Sequence, residues 1–453
     1  MLPAIWQKKL VDMNVTSLLV KDIQWADFVF ISAMYIQRDS VKKIIDECVK
    51  QGVKMVAGGP LFTQDYLDYP QIDHFILNEA EITLPLFLKD LNDGKPEKVY
   101  STPEFPDISS SPVPDYHLLS GKKYATMSLQ ISRGCPFSCE FCEITSLFGH
   151  KVRIKSKEQI LAELEKLYKL NWRGAIFVVD DNFIGNKKVI KYELLPAMKE
   201  WMEKHKYPFT FNTEASIDLA DDKELIRLMA DTGFNSVFIG IETPEENSLS
   251  ECNKVQNKNR DMIQSVKNIQ QAGLQVSGGF IVGFDNDSPS VFQRQIDFIQ
   301  QSGIVAAMVG LLNAPKNTRL YKRLEEENRI TIDSSGNNTD LSMNFIPKMN
   351  AHELINGYKK IIHDIYTAKP YYKRIRQLLM NYNSGYKKPA RITFVDLSAA
   401  VKSILIIGLR NKGRRHYWKL MIWTLFRRPV LIADALTFSI YGYHYRKIFG
   451  LSA

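Results

Sequence analysis

An α/β fold in three parts is what the sequence predicts. The parts are a small parallel-sheet block over residues 1–100, a partial (β/α)6 barrel over 123–325 and a mainly helical domain over 326–453. Three observations carry this. First, apolar strand-like stretches alternate with amphipathic helical ones from residue 8 to about 315, which implies parallel sheets with crossover helices. Second, within the barrel region one grammar repeats: a helix, a glycine, then a strand. Third, beyond residue 320 strand-like stretches stop and the charge balance reverses.

Taken in order, KKLVDMNV and DFVFISAM read as buried strands, SVKKIIDECVKQG as a helix closed by glycine, and VKMVAGGP and DHFILNE as two further strands. Residues 101–122 form a linker, with four prolines and four serines within STPEFPDISSSPVPDYHL. YATMSLQIS then opens the second sheet. Gly174 precedes AIFVVDD, Gly233 precedes NSVFIGIE, Gly273 precedes LQVSGGFIVGF and Gly303 precedes IVAAMVGLL. Each glycine suits a helix C-terminus, where positive φ is needed. With PFTFNTEAS these make six strands. Ser156 and Gln159 form a capping box at the head of SKEQILAELEKLYKL. A barrel of this kind carries its chemistry at the C-terminal strand ends.

The net charge of +9 hides a division. Residues 345–453 hold 20 Lys and Arg against 4 Asp and Glu, a net +16, and the remainder is −7. The last part reads as helices mixing aromatic and basic residues, above all Lys387 to Arg428. Half of that reading is a solvated lid on the barrel. The other half is peripheral contact with an anionic membrane. No nucleic-acid motif accompanies the charge, so no nucleic acid is expected. Five cysteines in 453 residues exclude a disulfide scaffold and suit a reducing, cytoplasmic compartment. No secretory signal or apolar run of spanning length is read.

Three of the five cysteines lie in SRGCPFSCEFCE, as Cys135-x3-Cys139-x2-Cys142, directly after the first barrel strand. Crowded thiolates bind soft metals and iron–sulfur clusters. Three ligands on a four-iron cubane leave one iron open. A structural zinc site is the bland alternative, but it wants a fourth ligand. His150 and Glu143 are near in sequence without an established ligand spacing. Cys48, on the helix SVKKIIDECVK, reads as a buried small residue, and Cys252, in SLSECNKVQNK, as an ordinary loop or helix residue. Two remaining thiols cannot complete a second cubane.

The cysteine spacing, Phe141 just before the last cysteine and six β/α units resemble the radical S-adenosylmethionine (radical SAM) superfamily. The resemblance implies one [4Fe-4S] cluster on Cys135, Cys139 and Cys142, with SAM on the open iron. It implies reductive cleavage of SAM to a 5′-deoxyadenosyl radical that abstracts a substrate hydrogen, with flavodoxin or ferredoxin as reductant. It also assigns SAM contacts. Asp180 and Asp181 end the second strand in FVVDDNFIGN, Glu214 ends the third in FNTEAS, and Glu242 ends the fourth in FIGIETP. Gly279-x-Ile281-x-Gly283 resembles the adenine-contact strand. Each has an ordinary alternative as a helix cap or turn residue. The sixth strand runs into NAPKNTRLY, where Asn317 stands at the family's usual glycine and also tolerates positive φ. No catalytic side chain is assigned.

The first block resembles a Rossmann-like cobalamin-binding domain, in which Ser32, Gly58, Gly59 and Glu79 would line the corrin and its tail. It opens at what looks like the second strand, so the expectation is a truncated domain and a Met1 that is an internal start. Of the cobalt-ligating Asp-x-His-x-x-Gly motif, DYHLLSG keeps Asp115 and His117 but has Ser120 for glycine. His117 therefore reads as a linker histidine. The overall layout is similar to cobalamin-type radical SAM proteins with a helical C-terminal domain, hopanoid methylases among them. That implies cobalamin-dependent C-methylation of a hydrophobic, lipid-like metabolite, by an enzyme in the cytoplasm or on the inner membrane face. The alternatives are radical ring formation or rearrangement, or a non-catalytic iron–sulfur or corrinoid-binding protein.

Overall fold

The computed structural model describes residues 1–119, 121–331, 341–383 and 394–451. Ser120 and the stretch 387–393 of the basic segment lie outside them. The first sheet is parallel, with β1 (Phe28–Ser32), β2 (Lys54–Gly58), β3 (His74–Ile76) and β4 (Val99–Tyr100) in that order. The helix Arg38–Gln51 closes on Gly52 at φ +66°. It buries Val41, Ile45 and Cys48, spaced 4 and 3 residues apart, against the sheet. The strand expected at 8–15 is absent. There the Asp12 carboxylate accepts from Asn14 N and the Asp12 carbonyl from Thr16 N, both at 2.9 Å. This local turn chemistry overrides a weak apolar pattern. β1, expected to be buried, is instead an edge strand with Phe30 38% exposed.

The second sheet opens with β5 (Thr126–Leu129), after which a separate antiparallel pair, β6 (Ser132–Arg133) and β7 (Arg153–Ile154), frames the cysteine loop. The sheet continues with β8 (Ala175–Val178), β9 (Thr210–Ala215), β10 (Phe234–Glu242), β11 (Gln275–Val282) and β12 (Ala307–Leu311). The order β5-β8-β9-β10-β11-β12 is sequential and all parallel, with β5 and β12 as free edges. That is a (β/α)6 barrel left open. Alternation splits each strand. Ile176, Val178, Phe211, Val276 and Val282 pack outward on the helices. Asn212, Glu214, Phe238, Gly279 and Ile281 turn to the concave side.

Three of the four expected helix-stop glycines take positive φ: Gly233 at +111°, Gly273 at +105° and Gly303 at +75°. Gly174 does not. The helix Lys157–Lys169 ends earlier, and Asn171 at φ +61° makes the turn, as a short amide side chain can. The Ser156–Gln159 capping box forms as expected.

The helices Ala351–Tyr366, Ala368–Asn381, Phe394–Ser403, Arg414–Arg427 and Ile432–Ile448 follow. They share one apolar core with the barrel helices. Contact is close. A Cβ on Gly357 would overlap the Phe292 ring, and one on Gly442 the Tyr371 ring. Buried Arg374 donates to Ile365 O (2.8 Å) and Val305 O (3.3 Å), tying two C-terminal helices to the start of β12. Among the described residues no helix is long and apolar enough to cross a membrane.

Candidate active site

The cysteine loop begins with a constraint on its backbone. Gly134 has φ +93°, and a Cβ there would lie 2.7 Å from Lys151 O and 3.0 Å from Gly149 O. Only glycine relieves both the torsion and the collision. Cys135, Cys139 and Cys142 follow, all partly buried. Burial raises the Cys135 thiol and pushes Cys142 up to about 12. Metal binding at these thiols must therefore release protons.

The loop is held from three sides. Glu140 N donates to Cys252 O at 2.9 Å, and Asn253 Nδ2 to Ser138 O at 2.9 Å. Leu320 N donates to Glu140 O at 3.0 Å, while Arg323 clasps the Glu140 carboxylate at 2.7 and 3.1 Å. Gln64 of the first block donates to Glu143 at 2.9 Å.

Opposite the loop stand the barrel strand ends. β10 slips register between Gly240 and Glu242, and Glu242 adopts φ +61°. A non-glycine residue there is strained, a common mark of functional sites. The bulge sends its carboxylate to Lys254 Nζ at 2.6 Å, with the lysine side chain 12% exposed. A Cβ on Gly240 would sit 2.8 Å from that ammonium, so glycine makes the room. Burial alone would lower the lysine, but Glu242 and the neighbouring cysteines outweigh it and raise it. Its ammonium is also 5.9 Å from the centre of the Phe141 ring.

Asp181 and Glu214 face the same space. Burial, reinforced by Glu143, pushes Asp181 up to about 6. Burial, reinforced by Asp181 and opposed by Lys254, pushes Glu214 up to about 7. Three carboxylates and one ammonium thus gather beside three thiols, an arrangement suited to a ligand carrying both charges.

Two sequence expectations change. Asp180 does not face the mouth. It is 1% exposed and accepts from Ile131 N (2.8 Å) and Ser132 Oγ (2.5 Å), bracing the chain that leads into the loop. Gly283 does not line the concave side with Gly279 and Ile281. At φ +110° it makes the turn after β11, donating to Asp287 at 2.8 Å. Asn317 takes φ +67°, as expected.

Lys254 was invisible in the sequence. Cys252, read from the sequence as an ordinary loop or helix residue, is buried with its carbonyl on the cysteine loop. Both sit in ECNKVQN, which has no periodicity or motif, and only the approach of the β10 loop to the cysteines marks them. Among the described residues no three His, Cys, Asp or Glu side chains converge tightly enough for a single metal ion. Glu143 is engaged by Gln64, and His150 is exposed. Three spaced thiols without a fourth ligand fit a cubane, in which each thiolate binds a different iron, and do not fit a closed zinc cage.

The first block turns its strand ends toward the barrel mouth. Asp65, after β2, pairs with Lys316 at 3.1 Å. Glu79, after β3, is 4% exposed and pairs with Arg133 (2.5 Å) and Arg153 (2.7 Å). Glu79 is therefore a bolt between the two units. Ser32 is exposed at the end of β1. Gly59, at φ +89°, would bring a Cβ to 2.8 Å from Ser32 Oγ, and a Cβ on Gly58 would meet Ile76 O at 2.7 Å. Strand order in this sheet never reverses, so the described residues form no switch-point crevice. Its one histidine, His74, starts β3 at the far end and bonds Glu97 O at 2.6 Å. His117 is exposed in the linker.

Comparisons with known proteins agree with this geometry. The model of the radical SAM superfamily matches residues 129–299, and one for a domain of unknown function matches 318–452. An uncharacterized methyltransferase of Synechocystis is 40% identical over 99% of this chain and 85% of its own. The hopanoid C-2 methylase of Rhodopseudomonas palustris is 31% identical over 95% of this chain and 82% of its own. Among solved structures, the radical SAM methyltransferase TsrM from Kitasatospora setae, with cobalamin and a [4Fe-4S] cluster bound, gives a TM-score of 0.60 at 11% identity, over 94% of this chain and 90% of that one. The cobalamin-dependent radical SAM enzyme OxsB, with aqua-cobalamin, gives 0.60 at 16% identity, over 96% of this chain and 74% of that one. At such identities the likeness shows the fold.

Proposed function

The chain belongs to the radical SAM superfamily and is an enzyme of its methyltransferase branch, and on that footing we propose that it methylates an unactivated carbon of a hydrophobic, lipid-like metabolite with the help of cobalamin. The observation that carries the chemistry is the gathering of Asp181, Glu214, Glu242 and Lys254 beside three thiols. Cys135, Cys139 and Cys142 would each hold one iron. When bound, the [4Fe-4S] cluster supplies the electron that opens a carbon–sulfur bond of SAM.

The chain's own residues then do the rest. SAM carries a sulfonium, an ammonium and a carboxylate. Asp181 and Glu214 suit its cationic groups, and Lys254, held by Glu242, suits its carboxylate. Asp180 fixes the loop without touching ligand. On the concave side the Phe238 ring packs on Gly279, where a Cβ would lie 2.9 Å from it, and a flat base would lie along this strand beside that ring. Burial of the ring of charges strengthens each interaction and keeps water from the reacting atoms.

Cobalamin would lie between the strand ends of the first block and the barrel mouth, near Ser32 and near Gly58 and Gly59, the two glycines whose missing side chains let the strand-end loops pack on one another. It would supply the methyl-carrying metal there. With no imidazole at that end of the sheet, the corrin would be held without a histidine from this block. The basic C-terminal region would hold the enzyme on an anionic membrane face. The test is anaerobic reconstitution followed by dithionite and SAM, with and without methylcobalamin. Release of 5′-deoxyadenosine and cobalamin-dependent methyl transfer from labelled SAM are expected. A colourless protein with one zinc would overturn the chemistry. Deoxyadenosine without cobalamin binding would overturn the methyl-transfer half.

A further inference from the structure

The helix Arg414–Arg427 has two apolar faces, and the protein covers one. Tyr417, Leu420, Met421 and Thr424 are buried in the domain. Trp418, Ile422, Leu425 and Phe426, at i, i+4, i+7 and i+8, lie on the other side and are exposed, Phe426 by 80%. A helix apolar all round is normally buried all round. The uncovered face continues into the next turn, where Val430 is 77% exposed, and onto the preceding segment. Fourteen of the 35 exposed large apolar side chains among the described residues fall within 397–448. A patch so concentrated marks an interaction surface.

Charge says what covers it. Residues 397–448 carry ten Lys and Arg and one acid, Asp434. Asp434 accepts a hydrogen bond from Gln275 at 2.7 Å. Arg414, Arg415 and Lys419 flank the apolar stripe. A second copy of the chain would set these like charges against one another. A nucleic acid would satisfy the cations and leave Phe426 and Val430 uncovered. An anionic lipid surface satisfies both.

Resting on the membrane half of the reading above, we infer that Phe426 and Val430 enter the acyl boundary of an anionic bilayer while Arg414, Arg415 and Lys419 meet its headgroups. Arg428 supports this tip from within, donating to Met380 O at 3.2 Å and Tyr382 O at 2.5 Å. Tyr382 in turn donates to Gly273 O at 3.1 Å, beside the start of β11. The docking face is therefore at the end of the barrel opposite the cysteines. Docking foot-first leaves the mouth clear of the bilayer.

The test is co-sedimentation of the reconstituted full chain with phosphatidylglycerol–phosphatidylcholine vesicles and with pure phosphatidylcholine vesicles. Binding to the anionic vesicles alone, weakened by salt, is expected. Phe426→Ser with Val430→Ser should weaken it roughly tenfold or more. Arg414→Glu, Arg415→Glu and Lys419→Glu together should weaken it roughly a hundredfold. Iron content and the visible band should stay at the wild-type level in both. No binding to anionic vesicles, equal binding to neutral ones, or variants that bind like wild type would overturn the inference. So would a wild-type dimer in analytical ultracentrifugation that Phe426→Ser with Val430→Ser dissolves. Docking is read without turnover, so a failure to cleave SAM would sink the enzymatic reading and leave this one standing.

Discussion

Replacing Lys254 by Met tests the polar ring most directly. The ammonium and the Glu242 carboxylate are 2.6 Å apart, with side chains 12% and 8% exposed. Removing one partner of a buried pair leaves the other charge uncompensated, at a cost of about 3–5 kcal/mol. Removing both with Glu242→Gln should restore much of that loss, so the two single effects should not add. A coupling of about 3 kcal/mol or more is expected, at the upper end of the range for residues in contact. The assay is the urea midpoint of the reconstituted protein with the denaturant slope unchanged, measured for wild type, both single variants and the double. SAM affinity gives a second readout. Loss of a charge-assisted hydrogen bond worth about 1.5–3 kcal/mol should weaken binding roughly ten- to a hundredfold. The reasoning is refuted if Lys254→Met shifts stability by less than about 1 kcal/mol, or if the double variant equals the sum of the singles.

Gly134→Ala forces an L residue into φ +93° and a Cβ against two carbonyl oxygens. A cost of about 2–3 kcal/mol and a failure to retain iron after desalting are expected, while Gly94→Ala, at positive φ in open space, should keep its iron. Arg323→Ala frees Glu140 and should speed iron loss severalfold, read as the decay of the visible band under chelator, with the circular dichroism spectrum unchanged. Glu214, raised to about 7, is ionised above that pH and neutral below it. SAM binding should therefore weaken as pH falls from 8 to 6, by up to tenfold per unit below the pKa. That slope should flatten in Glu214→Gln, and an unchanged slope would show that Glu214 does not face SAM.

The barrel was readable because strands and stops are local. Six strands and three of four glycine turns follow from runs of a few residues, and the cysteine triad is contiguous. The failures were local too. At 8–15 the Asp12 turn outcompeted a weak strand, and at Gly174 a helix frayed early and passed its left-handed turn to Asn171.

Sequence by itself determined the order of strands and helices, the three thiols, the acids at strand ends and the basic last part, because each is written in adjacent residues or in fixed periods. Tertiary structure alone decided which acids lie near the thiols. Asp180 and Asp181 are neighbours in the chain, yet one is a brace and the other lies near Cys135 and Glu214. It alone brought Lys254 to Glu242, and it alone turned Glu79 to two arginines 54 and 74 residues away. The physical reason is that a carboxylate's role depends on what shares its low-dielectric surroundings. Those neighbours are set by how sheets stack and loops return, which no short stretch of sequence contains.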